Sequence, residues 1–181
     1  MKIDIKKLTA IGILSAVYIA LSYFTIRSGQ LTITFTSLPL YIAVFYLGLK
    51  EGITVSLIGG LIEQLCYYGV SAAMPLWLLP NIIRLLVAFG LAYWYKKFFK
   101  QSFEKDYRMS VIICSLSTIA CTVATTVVMA LDAYIFDYFT WAYIATSFGM
   151  RLTASIITAI LVGALISPVL NILKQKWRFN E

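Results

Sequence analysis

The sequence predicts an all-α integral membrane protein, a bundle of six transmembrane helices with both termini in the cytoplasm. Hydrophobic residues make up 61% of the 181 residues and charged residues only 13%, too few to cover the surface of a soluble domain. Several apolar runs approach or exceed the ~20 residues that an α-helix needs to cross the hydrocarbon core of a bilayer. Most Lys and Arg residues lie in the short polar breaks between these runs or at the chain ends.

Six apolar runs define the predicted spans, which form a single membrane domain over residues 1–181. They cover about residues 8–24, 38–49, 52–68, 75–95, 109–131 and 144–173. The first run follows a basic segment and lacks the small-residue cleavage site of a signal peptide, so we expect it to remain as a span. The second is short and begins near Pro39. Residues 31–35, just before it, alternate β-branched with other side chains, which favours an extended segment.

Polar or small residues bound the remaining spans. Lys50 and Glu51 separate the second span from the third, and a turn over residues 69–74 follows the third. The fourth span ends before a loop of mixed charge, residues 96–108, and an acidic, aromatic loop over residues 132–143 separates the last two. These breaks alternate between the two membrane faces, as an up-and-down bundle requires.

The distribution of cations predicts the orientation. Twelve of the 15 Lys and Arg residues lie at the two termini, at Lys50 and in the loop at residues 96–108. The loops on the opposite side hold Arg27, Asp132 and Asp137. The positive-inside rule therefore places both termini in the cytoplasm. The same clustering on one membrane face explains the net charge of +7 and predicts no nucleic-acid partner.

Charged side chains inside the predicted spans indicate the binding site. Glu63, Arg84 and Arg151 each lie roughly 9 to 13 Å inward from the outer ends of their spans, at a rise of ~1.5 Å per residue. Charges that are kept inside a membrane protein usually serve a function. Two arginines against one glutamate leave an excess of positive charge, which suits an organic carboxylate held by planar guanidinium groups. A simpler alternative stays open, in which Glu63 and one arginine form a neutral buried pair.

Polar and aromatic residues accompany these charges. Asn81 is three residues from Arg84 and Tyr67 is four residues from Glu63, so each pair shares a helix face. Aromatic side chains are common at membrane interfaces, but beside a polar cluster they can also stack on a flat heterocycle. The predicted substrate-binding residues are Arg84, Arg151, Glu63, Asn81, Gln64, Tyr67, Trp77, Arg27 and Phe35.

Enzyme chemistry has no support in the sequence. The chain has no histidine, which removes histidine-based general-base catalysis and metal ligation. Cys66, Cys114 and Cys121 lack the spacing of metal ligands and are interpreted as small residues facing lipid or neighbouring helices. There is no nucleophilic triad, phosphate-binding loop or nucleotide motif, so we predict no enzyme activity, no cofactor and no metal.

Small residues recur at every fourth position in three spans. They are Gly12, Ala16 and Ala20 in the first, residues 52, 56 and 60 in the third, and residues 155, 159, 163 and 167 in the sixth. Such stripes let helices approach closely. We interpret those of the third and sixth spans as packing within the bundle. The stripe of the first span either packs inside the bundle or faces a partner.

The chain resembles the S components, the membrane-embedded substrate-binding subunits of energy-coupling factor (ECF) vitamin transporters. Residues 7–16, KLTAIGILSA, resemble their first helix. Three further stretches resemble the folate-type branch, namely IRSGQLTITFTSLP at 26–39, YLGLKEG at 46–52 and LWLLPNIIR at 76–84. The resemblance covers nearly the whole chain.

The resemblance implies a function, partners and a location. The chain would be the high-affinity subunit of an ECF-type ABC importer in the cell membrane, for folate or a related heterocycle that bears a carboxylate. Its first helix would dock on a membrane coupling subunit through Gly12, Ala16 and Ala20, with two cytoplasmic ATPases completing the transporter; the family prefers alanine at the place of Gly12. Independently of the resemblance, the loop at residues 26–37 is polar, contains glycine and lies on the outer side between two helices, so we predict that it acts as a lid over the pocket. Alternatives are an S component for another vitamin, such as riboflavin or pantothenate, and a stand-alone carrier.

Overall fold

The structure is a computed structural model that describes residues 5–24, 26–28, 31–70, 73–100, 106–137 and 139–176. For residues 26–28, 31, 32, 68 and 176 it describes the backbone alone. The helices are α1 (Ile5–Tyr23), α2 (Ser37–Ile42, continued by a π-helical segment over Ala43–Leu47), α3 (Leu49–Tyr68), α4 (Met74–Phe99), α5 (Tyr107–Ile135) and α6 (Trp141–Lys176). The helical fold class predicted from the sequence is therefore confirmed. Most helices are longer than the predicted spans.

A short hairpin joins α1 to α2. Strand β1 (Ile26–Ser28) pairs antiparallel with strand β2 (Leu31–Ile33), and Arg27 lies opposite Thr32. The β-branched alternation in this part of the sequence favours such an extended backbone. The described fold is thus helical apart from one hairpin, which lies before α2 and supplies the adjoining residue Thr34 to the site.

Local signals explain where several helices begin and end. The Asp106 side chain accepts hydrogen bonds from the backbone N–H groups of Arg108 (3.0 Å) and Met109 (3.4 Å), which caps α5. The π-helical segment ends at Gly48, whose φ of 128° is a conformation that residues with side chains rarely adopt. The chain reverses there, and α3 begins at the next residue.

Two apolar clusters hold the bundle together. One surrounds Tyr41, whose hydroxyl lies 2.7 Å from Ser117 Oγ and 2.9 Å from Thr118 Oγ1 on α5. The other surrounds Tyr18 and includes Leu40 and Leu85. Between them, these clusters connect α2 to α1, α3, α4, α5 and α6, so that the short second helix forms part of both cores.

The small-residue stripes of α3 and α6 pack inside the bundle, as predicted. A Cβ atom at Gly52 would lie 2.9 Å from Val44, and one at Gly163 would lie 2.8 Å from the Cα atom of Val111. By contrast, Gly12, Ala16 and Ala20 of α1 are exposed, and a Cβ atom at Gly12 would meet nothing within 4 Å. Within the described residues, therefore, the α1 stripe forms an uncovered face.

Within the described residues, four helices are long and apolar enough to cross a membrane, namely α1, α4, α5 and α6. Helix α3 has 20 residues but carries Lys50, Glu51 and Glu63, which lower its hydropathy. Residues Ser37–Leu47 form a shorter apolar helix. The count of six spans and the cytoplasmic termini remain predictions.

Candidate functional site

Two neighbouring cavities meet at Arg84. Their volumes are about 250 and 240 Å³, and they share the lining residues Thr34, Arg84, Cys121 and Thr125. We call the first the Arg151 chamber; its further lining residues are Ser37, Thr118, Thr122, Arg151, Ser155 and Thr158. We call the second the Glu63 chamber; its further lining residues are Tyr18, Thr36, Glu63, Trp77, Pro80 and Asn81. The two chambers together form one polar site around Arg84.

Helical spacing explains how three helices supply this lining. On α4, Trp77, Asn81 and Arg84 stand four and three residues apart and so share one face. On α5 the hydroxyl and thiol residues at 118, 121, 122 and 125 follow the same spacing, as do the residues at 151, 155 and 158 on α6. On each of α4, α5 and α6, the lining residues therefore lie on one face of the helix.

The guanidinium group of Arg84 has unfilled hydrogen-bonding capacity. Its Nη2 donates to Sγ of Cys121 at 3.0 Å, and sulfur is a weak acceptor. Its Nε is buried and finds no acceptor among the described residues. Nor does Arg84 form an ion pair within 4.0 Å with any carboxylate that the structure describes. A buried cation with so few partners is costly unless an anion or another acceptor joins it.

Glu63 belongs to a hydrogen-bonded chain across three helices. The Tyr18 hydroxyl on α1 donates to Oε2 of Glu63 on α3 at 2.6 Å. In turn, Nδ2 of Asn81 on α4 donates to the Tyr18 oxygen at 3.3 Å. Tyr18 is only 1% exposed, whereas Glu63 and Asn81 are half-buried. This hydrogen-bonded chain fixes one wall of the Glu63 chamber.

The Arg151 chamber is lined by hydroxyl groups. Thr122 Oγ1 and Ser155 Oγ lie 2.7 Å apart and join α5 to α6 beside Arg151. A hydroxyl group both donates and accepts, and its hydrogen can rotate toward a new partner. Because Thr118, Thr122 and Thr158 donate to backbone carbonyls, the two guanidinium groups are the main donors that this chamber offers a carboxylate.

The structure brings five of the nine predicted substrate-binding residues to the chambers. They are Arg84, Arg151, Glu63, Asn81 and Trp77. Neither chamber, as described, includes the other four among its lining side chains.

Two of these four, Tyr67 and Phe35, contact other parts of the bundle. The Tyr67 hydroxyl donates to the backbone carbonyl of Ser22 at 2.8 Å. Phe35 packs against the cluster around Tyr41, and Gln64 is half-buried on α3. The side chain of Arg27 falls outside the described residues.

Sequence reasoning missed most of the polar lining. Tyr18 and the hydroxyl residues of α5 and α6 were not predicted, although their recurrence every three or four residues was a usable signal. Cys121 was interpreted as a small residue facing lipid or a helix. It does face neighbouring helices, but it also lines both chambers and accepts from Arg84.

Comparisons with known proteins agree on the fold. A family model described as "ECF transporter, substrate-specific component" matches residues 6–173. Comparison with curated proteins gave no match. The solved structure of ThiT from Listeria monocytogenes superposes with a TM-score of 0.68 at 18% identity, over 94% of this chain and 96% of that one. The S component of a bacterial ECF transporter gives a TM-score of 0.53 at 22% identity, over 94% of each chain.

Identities this low show a shared fold and carry no information about the ligand. The family match is stronger, because it covers nearly the whole chain. The chain therefore belongs to the substrate-specific components of ECF transporters, which are membrane-embedded, substrate-binding subunits and not enzymes.

Proposed function

We propose that the chain is the high-affinity subunit of an ECF-type ABC importer for a vitamin that carries a carboxylate, with folate or a related heterocycle as the substrate. The observation that carries the proposal is the half-buried guanidinium group of Arg84, whose Nε has no acceptor among the described residues and which lines one chamber together with Arg151. A carboxylate there would accept hydrogen bonds in the planar geometry that guanidinium groups favour. Trp77 in the adjoining chamber offers an aromatic surface to a ring.

The assembly that we propose includes a membrane coupling subunit and two cytoplasmic ATPases. The exposed stripe of Gly12, Ala16 and Ala20 supports docking, because close approach of helix backbones needs small residues on an uncovered face. We further propose six membrane spans with both termini in the cytoplasm. In this arrangement α2 and α3 cross the membrane as parts of the bundle, although α2 is short and α3 carries charges.

Calorimetry on the purified full chain in detergent tests the function. Folate, riboflavin and pantothenate are titrated in turn into the wild type and into the variants Arg84→Gln and Arg151→Gln. Each substitution should weaken binding by about 2–3 kcal/mol, or roughly 30- to 150-fold in Kd, if the guanidinium contacts a buried carboxylate. Arg108→Gln is the matched control, because Arg108 is exposed at the start of α5.

Four results are decisive. Tight binding of folate that both arginine variants weaken supports the proposal in full. Tight binding of riboflavin or pantothenate instead replaces the substrate but keeps the transporter role. Unchanged affinity in both variants contradicts the assignment of the chambers, and uptake of the vitamin into vesicles that hold this chain alone indicates a stand-alone carrier.

A further inference from the structure

We infer that Arg84 divides the site into two chambers of opposite chemistry, which fixes the direction of an elongated substrate. Its carboxylate end lies against Arg151, and a ring that carries N–H donors lies against Glu63. This inference rests on the proposed substrate-binding function and adds to it by assigning each end of the substrate to a chamber.

The Arg151 chamber is built to receive an anion. Apart from the shared residues, its described lining comprises one guanidinium group and five hydroxyl groups, with no carboxylate among them. Thr122 Oγ1 and Ser155 Oγ, 2.7 Å apart, are hydrogen-bonded to each other and so lie side by side in this lining. A carboxylate placed here would meet the guanidinium group of Arg151 on α6. The hydroxyl groups of Thr118, Thr122 and Thr158 donate to backbone carbonyls and would have to rotate to reach it.

The Glu63 chamber has the opposite preference. Its charged lining residue other than Arg84 is a carboxylate, so a second carboxylate placed here would be repelled. Oε2 of Glu63 accepts from Tyr18, but a carboxylate has about four lone-pair sites and can accept further bonds. Adjacent N–H groups on an amino-substituted ring match this acceptor, as the two N–H groups of a guanidinium do. Trp77 provides the aromatic surface that such a ring requires.

Arg84 stands at the junction and lines both chambers. Its guanidinium group therefore lies where the two halves of an elongated substrate would join. Two chambers of about 250 and 240 Å³ that meet at one residue suit a two-part, elongated molecule better than a compact one. The substrate class is therefore an organic acid with an amino-substituted aromatic heterocycle at the far end.

The direction of the bound substrate can be tested with two fragments, each of which carries one of its ends. Pterin supplies the ring with N–H donors, and p-aminobenzoylglutamate supplies the carboxylates. Each is titrated into the purified full chain and into Glu63→Gln and Arg151→Gln, which remove a charge while keeping side-chain size. Loss of a hydrogen bond to a charged group should weaken binding by about tenfold or more.

The expected pattern is a crossed one. Glu63→Gln should weaken the binding of pterin and leave the Kd of p-aminobenzoylglutamate within about twofold of the wild-type value. Arg151→Gln should weaken the binding of p-aminobenzoylglutamate and leave that of pterin unchanged. The control Arg108→Gln should change neither affinity. If Glu63→Gln does not fold, Asn81→Leu tests the same chamber; if Arg151→Gln does not fold, Ser155→Ala replaces it.

Other patterns overturn the inference. A reversed pattern, or equal loss for both fragments in each variant, contradicts the assigned direction. If neither fragment binds but pantothenate or riboflavin does so in an Arg84-dependent way, the binding function stands and the two-ended substrate is wrong. If no vitamin binds to a folded wild-type chain, the proposed function fails as well.

Discussion

The Tyr18 hydroxyl and the Glu63 carboxylate, 2.6 Å apart, join α1 to α3 at the wall of the Glu63 chamber. The exposed face of α1 carries Gly12, Ala16 and Ala20. One helix thus contacts the candidate substrate site through a buried tyrosine and presents its small-residue stripe outward. Any ligand that competes with Tyr18 for Glu63 acts directly on the helix that bears the proposed docking face.

Replacing Tyr18 by phenylalanine should lower the stability of the bundle. The change keeps the ring and removes a hydrogen bond to a charged group, which is worth about 1.5–3 kcal/mol. Thermal unfolding in detergent should show a lower midpoint. Tyr134→Phe is the control, because Tyr134 is largely exposed at the end of α5. An unchanged midpoint for Tyr18→Phe would mean that the bond contributes little.

Gly59 should tolerate no side chain. A Cβ atom there would lie 2.5 Å from Cδ1 of Tyr18, so Gly59→Ala must displace the ring whose hydroxyl donates to Glu63. We expect a destabilisation of about 1–3 kcal/mol from this overpacking. Gly90→Ala on α4 is the matched control, since nothing lies within 4 Å of its Cβ position. Equal thermal midpoints for the two variants would show that the Tyr18 ring moves at no cost.

Enlarging the α1 stripe should separate binding from assembly. Ala16→Trp adds a large side chain on an exposed face, so ligand affinity of the isolated chain should stay within about twofold. Co-purification with the coupling subunit should be lost, because the helix backbones can no longer approach. Val17→Trp, also exposed but off the stripe, should assemble normally. Loss of ligand binding in isolated Ala16→Trp, or its undisturbed assembly, contradicts the docking role.

The β1–β2 hairpin should respond to ligand. It directly precedes Thr34, which lines both chambers, and gating loops are commonly drawn from short segments between packed helices. A spin label at residue 28, in a chain whose exposed Cys66 is replaced by alanine, should lose mobility when the vitamin is added. A label at Val70, which is 90% exposed beyond α3, serves as the control. Equal mobility at residue 28 with and without ligand would exclude closure.

The charged residues of the site could be predicted because a charge inside a membrane-spanning helix is energetically costly. Arg84, Arg151 and Glu63 stood out because a charge in an apolar helix needs a reason. Thr118, Thr122 and Thr125 gave no such signal, since each donates to the backbone carbonyl four residues earlier, at 2.7, 3.0 and 2.8 Å. A hydroxyl satisfied within its own helix adds little cost, so its position alone does not reveal a polar chamber.

The fold was predictable to a similar extent. The long apolar runs predicted the helices. The π-helical segment Ala43–Leu47 consists of hydrophobic residues, and nothing in its sequence distinguishes it from an α-helix. Phe35 illustrates the opposite error. An aromatic residue near a polar cluster can contact a ligand or pack in a core, and Phe35 packs against the core around Tyr41.

The shortness of α2 has an electrical consequence. Together with its π-helical segment it has 11 residues and rises roughly 16 Å, about half of the ~30 Å hydrocarbon layer. Ser37, at its first turn, lines the Arg151 chamber. In the orientation proposed here, an anion entering from outside would stop near the bilayer midplane. Crossing the full field costs about 2.3 kcal/mol per charge at 100 mV. An inside-negative potential would therefore oppose its binding by only about half of that, or roughly 1 kcal/mol.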